Sequence, residues 1–370
     1  MQFFNSKYIL SNKRHGWIDY DRGISIILVT YRHCFEGMEK AGLDLQSHPW
    51  LEYINVFFFG FRMPLFFIAS GMFISGSMRK KGLNDYAKNR VQSILYPMLV
   101  WGIIQISLQL IFSSYTNSKS EVDYHSYLYL ITNPRATGQF WYLNALFFVG
   151  IIYAFLKVQL NCSTKNQLVL GLMLYACCGY INANEMYFGA INDILKYYLF
   201  FAIGDAVSGF MLDEKAKTIF TSWKFVLPLF IAFLLIQYVF TSINLGVKDN
   251  YHVENKMPLF FLMVALVGCA ISIAASFSLK KYEKMRFLRV VGYNSVHIYC
   301  LQIIVMSVAR QFYTKVLHIQ HVPMLALLIL ASGIILPMIF YNICLRLNAW
   351  WLFTLKKPTA EIEYLQSKSN

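Results

Sequence analysis

The sequence predicts an all-α integral membrane protein, a polytopic bundle of about ten transmembrane helices with both termini in the cytoplasm. Composition is the first reason: 57% of the 370 residues are hydrophobic, 17% aromatic and only 14% charged, where a soluble domain carries about 25% charge. The second is a series of apolar runs of membrane-crossing length, near 23–38, 53–77, 93–114, 140–160, 167–184, 190–211, 223–245, 257–278, 290–309 and 323–351. The third is charge placement. Of the 33 basic residues, 21 fall in segments 1–16, 78–90, 157–166, 213–224, 279–289 and 352–370, and seven in the intervening connections. Positive residues stay cytoplasmic, so the first set lies inside, and 39–52, 115–139, 185–193, 246–256 and 310–322 lie outside.

This organisation divides the chain into a cytoplasmic segment 1–16, a ten-helix domain 17–351 and a cytoplasmic tail 352–370. The net charge of +14 therefore reads as topology and lipid contact, with no nucleic-acid partner. The first sixteen residues are mixed polar and aromatic with no small-residue cleavage site after the first apolar run, so no cleavable signal is expected. Seven cysteines show no CxxC and no Cys/His metal spacing; they read as small core residues, and no metal is expected. No internal repeat stands out.

The first run begins from Asp19-Tyr20-Asp21-Arg22-Gly23. Arg22 and His33 are eleven residues apart, which on a helix is three turns plus about 20°, so both lie on one face about 16 Å apart. Ionisable groups in a membrane helix are costly and mark functional paths by default. The alternative is an entrance where Asp19 faces the helix dipole and Arg22 snorkels to headgroups. For His33 the alternative is a buried structural histidine. Arg32, about 100° away, reads as a headgroup contact.

In the second run, Phe57-Phe58-Phe59-Gly60-Phe61-Arg62-Met63-Pro64-Leu65-Phe66-Phe67 puts an arginine beside a proline that frees a carbonyl one turn back. Arg62 either binds an anion or satisfies that carbonyl. Ser70-Gly71 permits close helix packing. The basic connection from Arg79 to Arg90 is a positive-inside signal that also suits a phosphate-rich cytosolic ligand, with Arg90 opening the third run. Three later constellations place polar groups at span entrances: Gly138-Gln139-Phe140-Trp141-Tyr142-Leu143-Asn144, Phe201-Ala202-Ile203-Gly204-Asp205 and Gly292-Tyr293-Asn294-Ser295-Val296-His297-Ile298-Tyr299. Trp141 and Tyr142 fit an interfacial aromatic belt; Gln139 and Asn144 suit hydrogen bonds to a hydroxylated substrate. His297 reads as a satisfied interhelical histidine.

In order along residues 17–350, Asp19-x-x-Arg22-Gly23, Arg22-x10-His33, Met63-Pro64-Leu65-Phe66-Phe67-x-x-Ser70-Gly71, Arg90 through Pro97, Phe140-Trp141-Tyr142-Leu143 and Gly292-x-Asn294-Ser295-x-x-Ile298-Tyr299 together resemble the membrane-bound acyltransferase-3 family, nearest its branch of fucose and related sugar O-acetylases. The resemblance implies a bacterial inner-membrane enzyme moving an acyl group, usually acetyl from acetyl-CoA, onto a hydroxyl of a surface or exported glycan. Carried over by position, it implies Arg22 and His33 as the first-helix pair with Asp19 as the accompanying acid. Arg22, Arg62 and Arg90 would then grip the donor, and Gln139, Trp141 and Asn144 the glycan or lipid-linked sugar. Two positions depart from the pattern: Ser93 and Ile94 stand where relatives often have a second basic residue, and Gln302 where they often have histidine. A glycan or lipid-linked sugar transporter, and a transferase of succinyl or longer acyl groups on the same scaffold, are the competing readings. None of the eight histidines begins a His-x4-Asp motif.

Overall fold

The computed structural model describes residues 6–11, 16–112 and 122–366. The expectations placed on the rest of the two terminal segments, on 113–114 at the end of the third run and on 115–121 of the 115–139 connection fall outside these residues. Among the described residues every regular element is helical. Ten long helical segments stand where the ten apolar runs are: α1 (Gly16–Lys40), α2 (Pro49–Arg79), α3 (Gly82–Ile111), α4 (Trp141–Gln159), α5 (Thr164–Ala183), α6 (Ala190–Met211), α7 (Trp223–Gly246), α8 (Pro258–Lys281), α9 (Phe287–Tyr293 followed by Ser295–Val316) and α10 (Val322–Arg346). Among the described residues seven of them, α2 to α4, α6 to α8 and α10, are long and apolar enough to cross a membrane, and eight if the two arms of α9 form one span. The sequence count of ten exceeds this because α1 carries Asp19, Asp21, Arg22, Arg32, Glu36 and Lys40, and α5 carries Lys165, Asn166, Gln167 and Asn182.

The chain forms two compact units: residues 1–55, 96–127 and 283–370 make the first, and 56–95 and 128–282 the second.

In the first unit α1 packs against both arms of α9 and against α10. Its opening turns meet the short arm of α9 backbone to backbone. A Cβ at Gly292 would sit 1.7 Å from the Asp19 carbonyl oxygen, and one at Gly23 would sit 2.2 Å from that of Leu288. Glycines at such crossings let helices approach to main-chain contact. The sequence motifs around Asp19 and around Gly292 are thus two sides of one crossing. Farther along, Cys34, Phe35 and Met38 bury with Met306, Leu325 and Ile329. Helix α9 turns through 84° at Asn294, a break the apolar run at 290–309 did not announce. The Asn294 side chain donates to the Val290 carbonyl at 2.9 Å, competing locally with the helical ladder.

In the second unit α2 and α6 cross just as closely. A Cβ at Gly71 would lie 2.0 Å from the Phe201 carbonyl oxygen, and one at Gly204 would lie 2.1 Å from that of Ile68. The crossing buries Asp205, which accepts from Lys157 and Ser75, from Tyr153 at 2.8 Å and from Thr164 at 2.9 Å. Lys196 is likewise buried with an acid, 2.9 Å from Glu254. Helix α3 contains a π-helical stretch, Val91–Leu95, just before Tyr96-Pro97. Pro97 has no N–H to donate, and a wider turn absorbs the missing bond.

Candidate active site

In the first unit α1 starts at Gly16, so Asp19 stands in its first turn, where the amide dipoles favour a carboxylate. Asp19 and Asp21 are buried and Arg22 is half-buried. Three turns on, the His33 side chain keeps 15% exposure, and its Nδ1 lies 3.4 Å from Glu36 Oε2. Arg32 Nε holds the other oxygen of the same carboxylate at 2.6 Å. Arg32, read from sequence as a headgroup contact, is therefore a partner of Glu36. A carboxylate at Nδ1 fixes the orientation of an imidazole and favours the tautomer whose Nε2 carries the lone pair. This is the arrangement a general base requires.

Gln302 lies on the long arm of α9 and is fully buried. Its Oε1 is 2.6 Å from Thr30 Oγ1, one turn before His33, while its Nε2 has no hydrogen-bond partner among the described residues. His297 is packed: its ring stacks on Tyr341 at 3.5 Å between centroids and meets Phe353 edge-on at 5.0 Å.

The other predicted site residues belong to the second unit. Arg62 is 1% exposed with its guanidinium over the Phe59 ring at 5.0 Å. Arg90 Nε donates to the Tyr86 hydroxyl at 2.8 Å, in space left by Gly150, where a Cβ would stand 3.0 Å from that hydroxyl. Gln139 is fully buried ahead of α4. Trp141 packs between two partners: Arg135 lies 4.1 Å over its ring and the Tyr197 ring meets it tilted at 5.4 Å between centroids. Arg135 is in turn held by Asp193 through contacts of 2.7–3.0 Å, and that buried carboxylate pushes the guanidinium of the half-buried Arg135 above its ordinary range. Asn144 donates from Nδ2 to the carbonyls of Leu130 and Ile131 at 3.0 and 3.1 Å, and its Oδ1 is buried without a partner among the described residues.

Asp19, Arg22 and His33 thus share α1, whereas Gln139, Trp141 and Asn144 gather at the start of α4, and Arg62 and Arg90 sit on α2 and α3. The sequence reading missed Glu36, although its spacing of three from His33 and four from Arg32 is the ordinary helical pairing distance. It also missed the Arg135–Asp193 pair flanking Trp141, for which no local signal exists.

Residues 15–342 match the family model described as an acyltransferase domain, so this bundle of membrane-length helices is an integral membrane acyltransferase. The chain belongs to the acyltransferase-3 family. It is also similar to the nodulation protein NolL of Mesorhizobium japonicum, with 25% identity over 197 residues, covering 52% of this chain and 48% of NolL. The chain spans about half the length of that curated relative. No solved structure matches it.

Proposed function

We propose that the protein is an O-acetyltransferase that moves acetyl from cytoplasmic acetyl-CoA to a sugar hydroxyl of a cell-surface or exported glycan, working in a bacterial inner membrane with both chain termini in the cytoplasm. The observation that carries this reading is His33, held through Nδ1 by Glu36 on the same helix face as Arg22. In the reaction His33 Nε2 accepts the proton of the sugar hydroxyl as its oxygen attacks the thioester carbonyl carbon. The C–S bond breaks, the sulfur leaves with the electron pair, and the imidazolium returns the proton to it. One ester and one CoA thiol replace one hydroxyl and one thioester. Transfer through an acyl-histidine has the same sum.

Asp19 orients Arg22 at the donor end. Arg22, Arg62 and Arg90 supply the guanidinium forks that suit phosphate oxygens. On the acceptor side the bare Oδ1 of Asn144 suits a sugar hydroxyl donor. Gln139 adds a second amide, and Trp141, with Arg135 over its ring, offers its ring edge and indole N–H. No metal takes part in this scheme.

The test is the ester content of surface glycans, or of lipid-linked sugars, from cells with and without the gene, measured by mass spectrometry. Loss of acetyl ester on deletion, restored by the wild type and not by His33→Ala, is the expected result. Unchanged acylation with altered glycan export would make the protein a transporter, and loss of a heavier ester would reassign the acyl group.

A further inference from the structure

Five basic residues fall in segment 279–289, and their number alone reads as a topology signal. The structure separates them. Lys281, Lys284 and Arg286 are exposed and Lys280 is half-exposed, as snorkelling residues should be. Arg289 is 3% exposed. Its Nε is buried without a hydrogen-bond partner, and among the described residues no carboxylate lies within ion-pairing distance of it. Glu283, six residues earlier in the same connection, is engaged 3.4 Å from Arg286 Nε.

Burial of this kind is not a packing preference. Arginine stays charged at any accessible pH, and a buried charge lacking a counter-charge is among the most unfavourable features a fold can carry. Arg289 also faces a particular place. It lies three residues before Gly292, on the same side of its helix, and that side meets Asp19 and Gly23 of α1. Glu283, Arg289 and Arg286 all act electrostatically on the Tyr20 hydroxyl, which donates to the Lys284 carbonyl at 2.7 Å. Arg289 thus stands beside the opening turns of α1, where Arg22 projects from the neighbouring turn.

We propose that Arg289 is a phosphate-binding residue that receives the phosphorylated nucleotide end of the acyl donor at the base of α1, beside Arg22. The inference rests on the reading of acetyl-CoA as donor. The shared chemistry is a phosphate dianion or phosphoanhydride, which a lipid headgroup also offers, and the test separates the two sources.

The full chain is reconstituted in nanodiscs of zwitterionic lipid, with and without phosphatidylglycerol, as wild type, Arg289→Gln, Arg289→Lys and the exposed control Arg286→Gln. Melting temperature is followed with CoA, with inorganic pyrophosphate and with no addition, and acetyl-CoA kinetics are measured on a supplied sugar acceptor. CoA and pyrophosphate are expected to stabilise the wild type and not Arg289→Gln. Arg289→Gln should melt above the wild type without ligand, because it relieves a buried charge. Its KM for acetyl-CoA should rise at least about 10-fold with kcat within about 2-fold, the loss expected for one charge-assisted hydrogen bond. Arg289→Lys should keep part of the CoA shift, and Arg286→Gln all of it. A lower unliganded melting temperature in Arg289→Gln with an intact CoA shift would make Arg289 a packing residue and overturn the proposal. Stabilisation by phosphatidylglycerol but not by CoA would reassign the site to a headgroup and overturn it too. If the wild type transfers nothing from acetyl-CoA, yet pyrophosphate stabilises it and not Arg289→Gln, the donor reading fails while the phosphate site stands.

Discussion

Thr30 and Gln302, 272 residues apart in sequence, meet at 2.6 Å in the buried interior of the first unit. Thr30 Oγ1 is also 2.8 Å from the carbonyl oxygen of Ile26, one turn back. One hydroxyl proton cannot serve both acceptors. Turning the Gln302 amide over lets Nε2 donate to Thr30 while Thr30 donates to Ile26, and in either orientation one amide atom stays unused. Gln302 is therefore a half-satisfied amide at full burial. Gln302→Leu, of similar volume, is expected to leave stability within about 1 kcal/mol of wild type, because Thr30 falls back on Ile26 and a buried polar penalty disappears. Thermal melts of the purified protein check this. A loss of several kcal/mol would mean that the amide is fully bonded in the working molecule.

The carboxylate of Glu36 touches His33 and Arg32 together. Glu36→Gln keeps the volume and removes the charge that fixes the imidazole. Transfer activity is expected to fall about 10- to 100-fold in kcat, the loss seen when the hydrogen-bonding partner that orients a metal-ligating histidine is removed, with KM for acetyl-CoA nearly unchanged. His33→Ala should be inactive at wild-type expression. Steady-state kinetics in membranes check both, and a Glu36→Gln enzyme with wild-type kcat would remove the pair from the mechanism.

Much of the fold was legible because a bilayer forces long apolar runs, and all ten runs coincide with long helices. What the runs cannot register is a bend within one of them, such as the 84° turn of α9 at Asn294, whose side chain shares the Val290 carbonyl with its own backbone N–H. The helix-one pair of Arg22 and His33 was legible from helical spacing, since both residues lie on one element. Arg289 was not, because its identity as a base in a basic connection says topology and only tertiary burial distinguishes it from Lys281 and Arg286. The same holds for Asp205: a lone acid in a span announces a partner, but Lys157, Ser75, Tyr153 and Thr164 come from three other helical segments and are assembled only by the Gly71–Gly204 crossing.

That Asp205 cluster is expected to be structural. Asp205→Asn leaves Lys157, with a side chain 20% exposed, without its counter-charge, and should cost about 3 kcal/mol of stability. The folded remainder should keep a wild-type KM for the donor. Lys157→Met in the Asp205→Asn background removes the stranded charge and should recover most of the loss. A double-mutant cycle on thermal or denaturant stability, read where unfolding is reversible, checks it. Additive losses would show that the two residues do not act as a pair.

The crossing of α1 with the short arm of α9 is expected to be intolerant of a single methyl group. At Gly292 the added Cβ would lie 1.7 Å from the Asp19 carbonyl oxygen, and at Gly23 it would lie 2.2 Å from that of Leu288. Neither neighbour is a side chain able to rotate away, so the helices must separate. Gly292→Ala should destabilise by about 2 kcal/mol or more, as overpacking does. If the proposed phosphate site at Arg289 is right, the substitution should also raise KM for acetyl-CoA, because Arg289 sits three residues before Gly292 on the arm that this contact holds against α1. Gly76→Ala, with nothing within 4 Å of its Cβ, should change neither quantity and is the matched control. Because Gly292→Ala moves the helix and Arg289→Gln removes only a charge, the first should lower the melting temperature and the second raise it. Opposite signs from two substitutions three residues apart would separate the role of the crossing from the role of the guanidinium it positions.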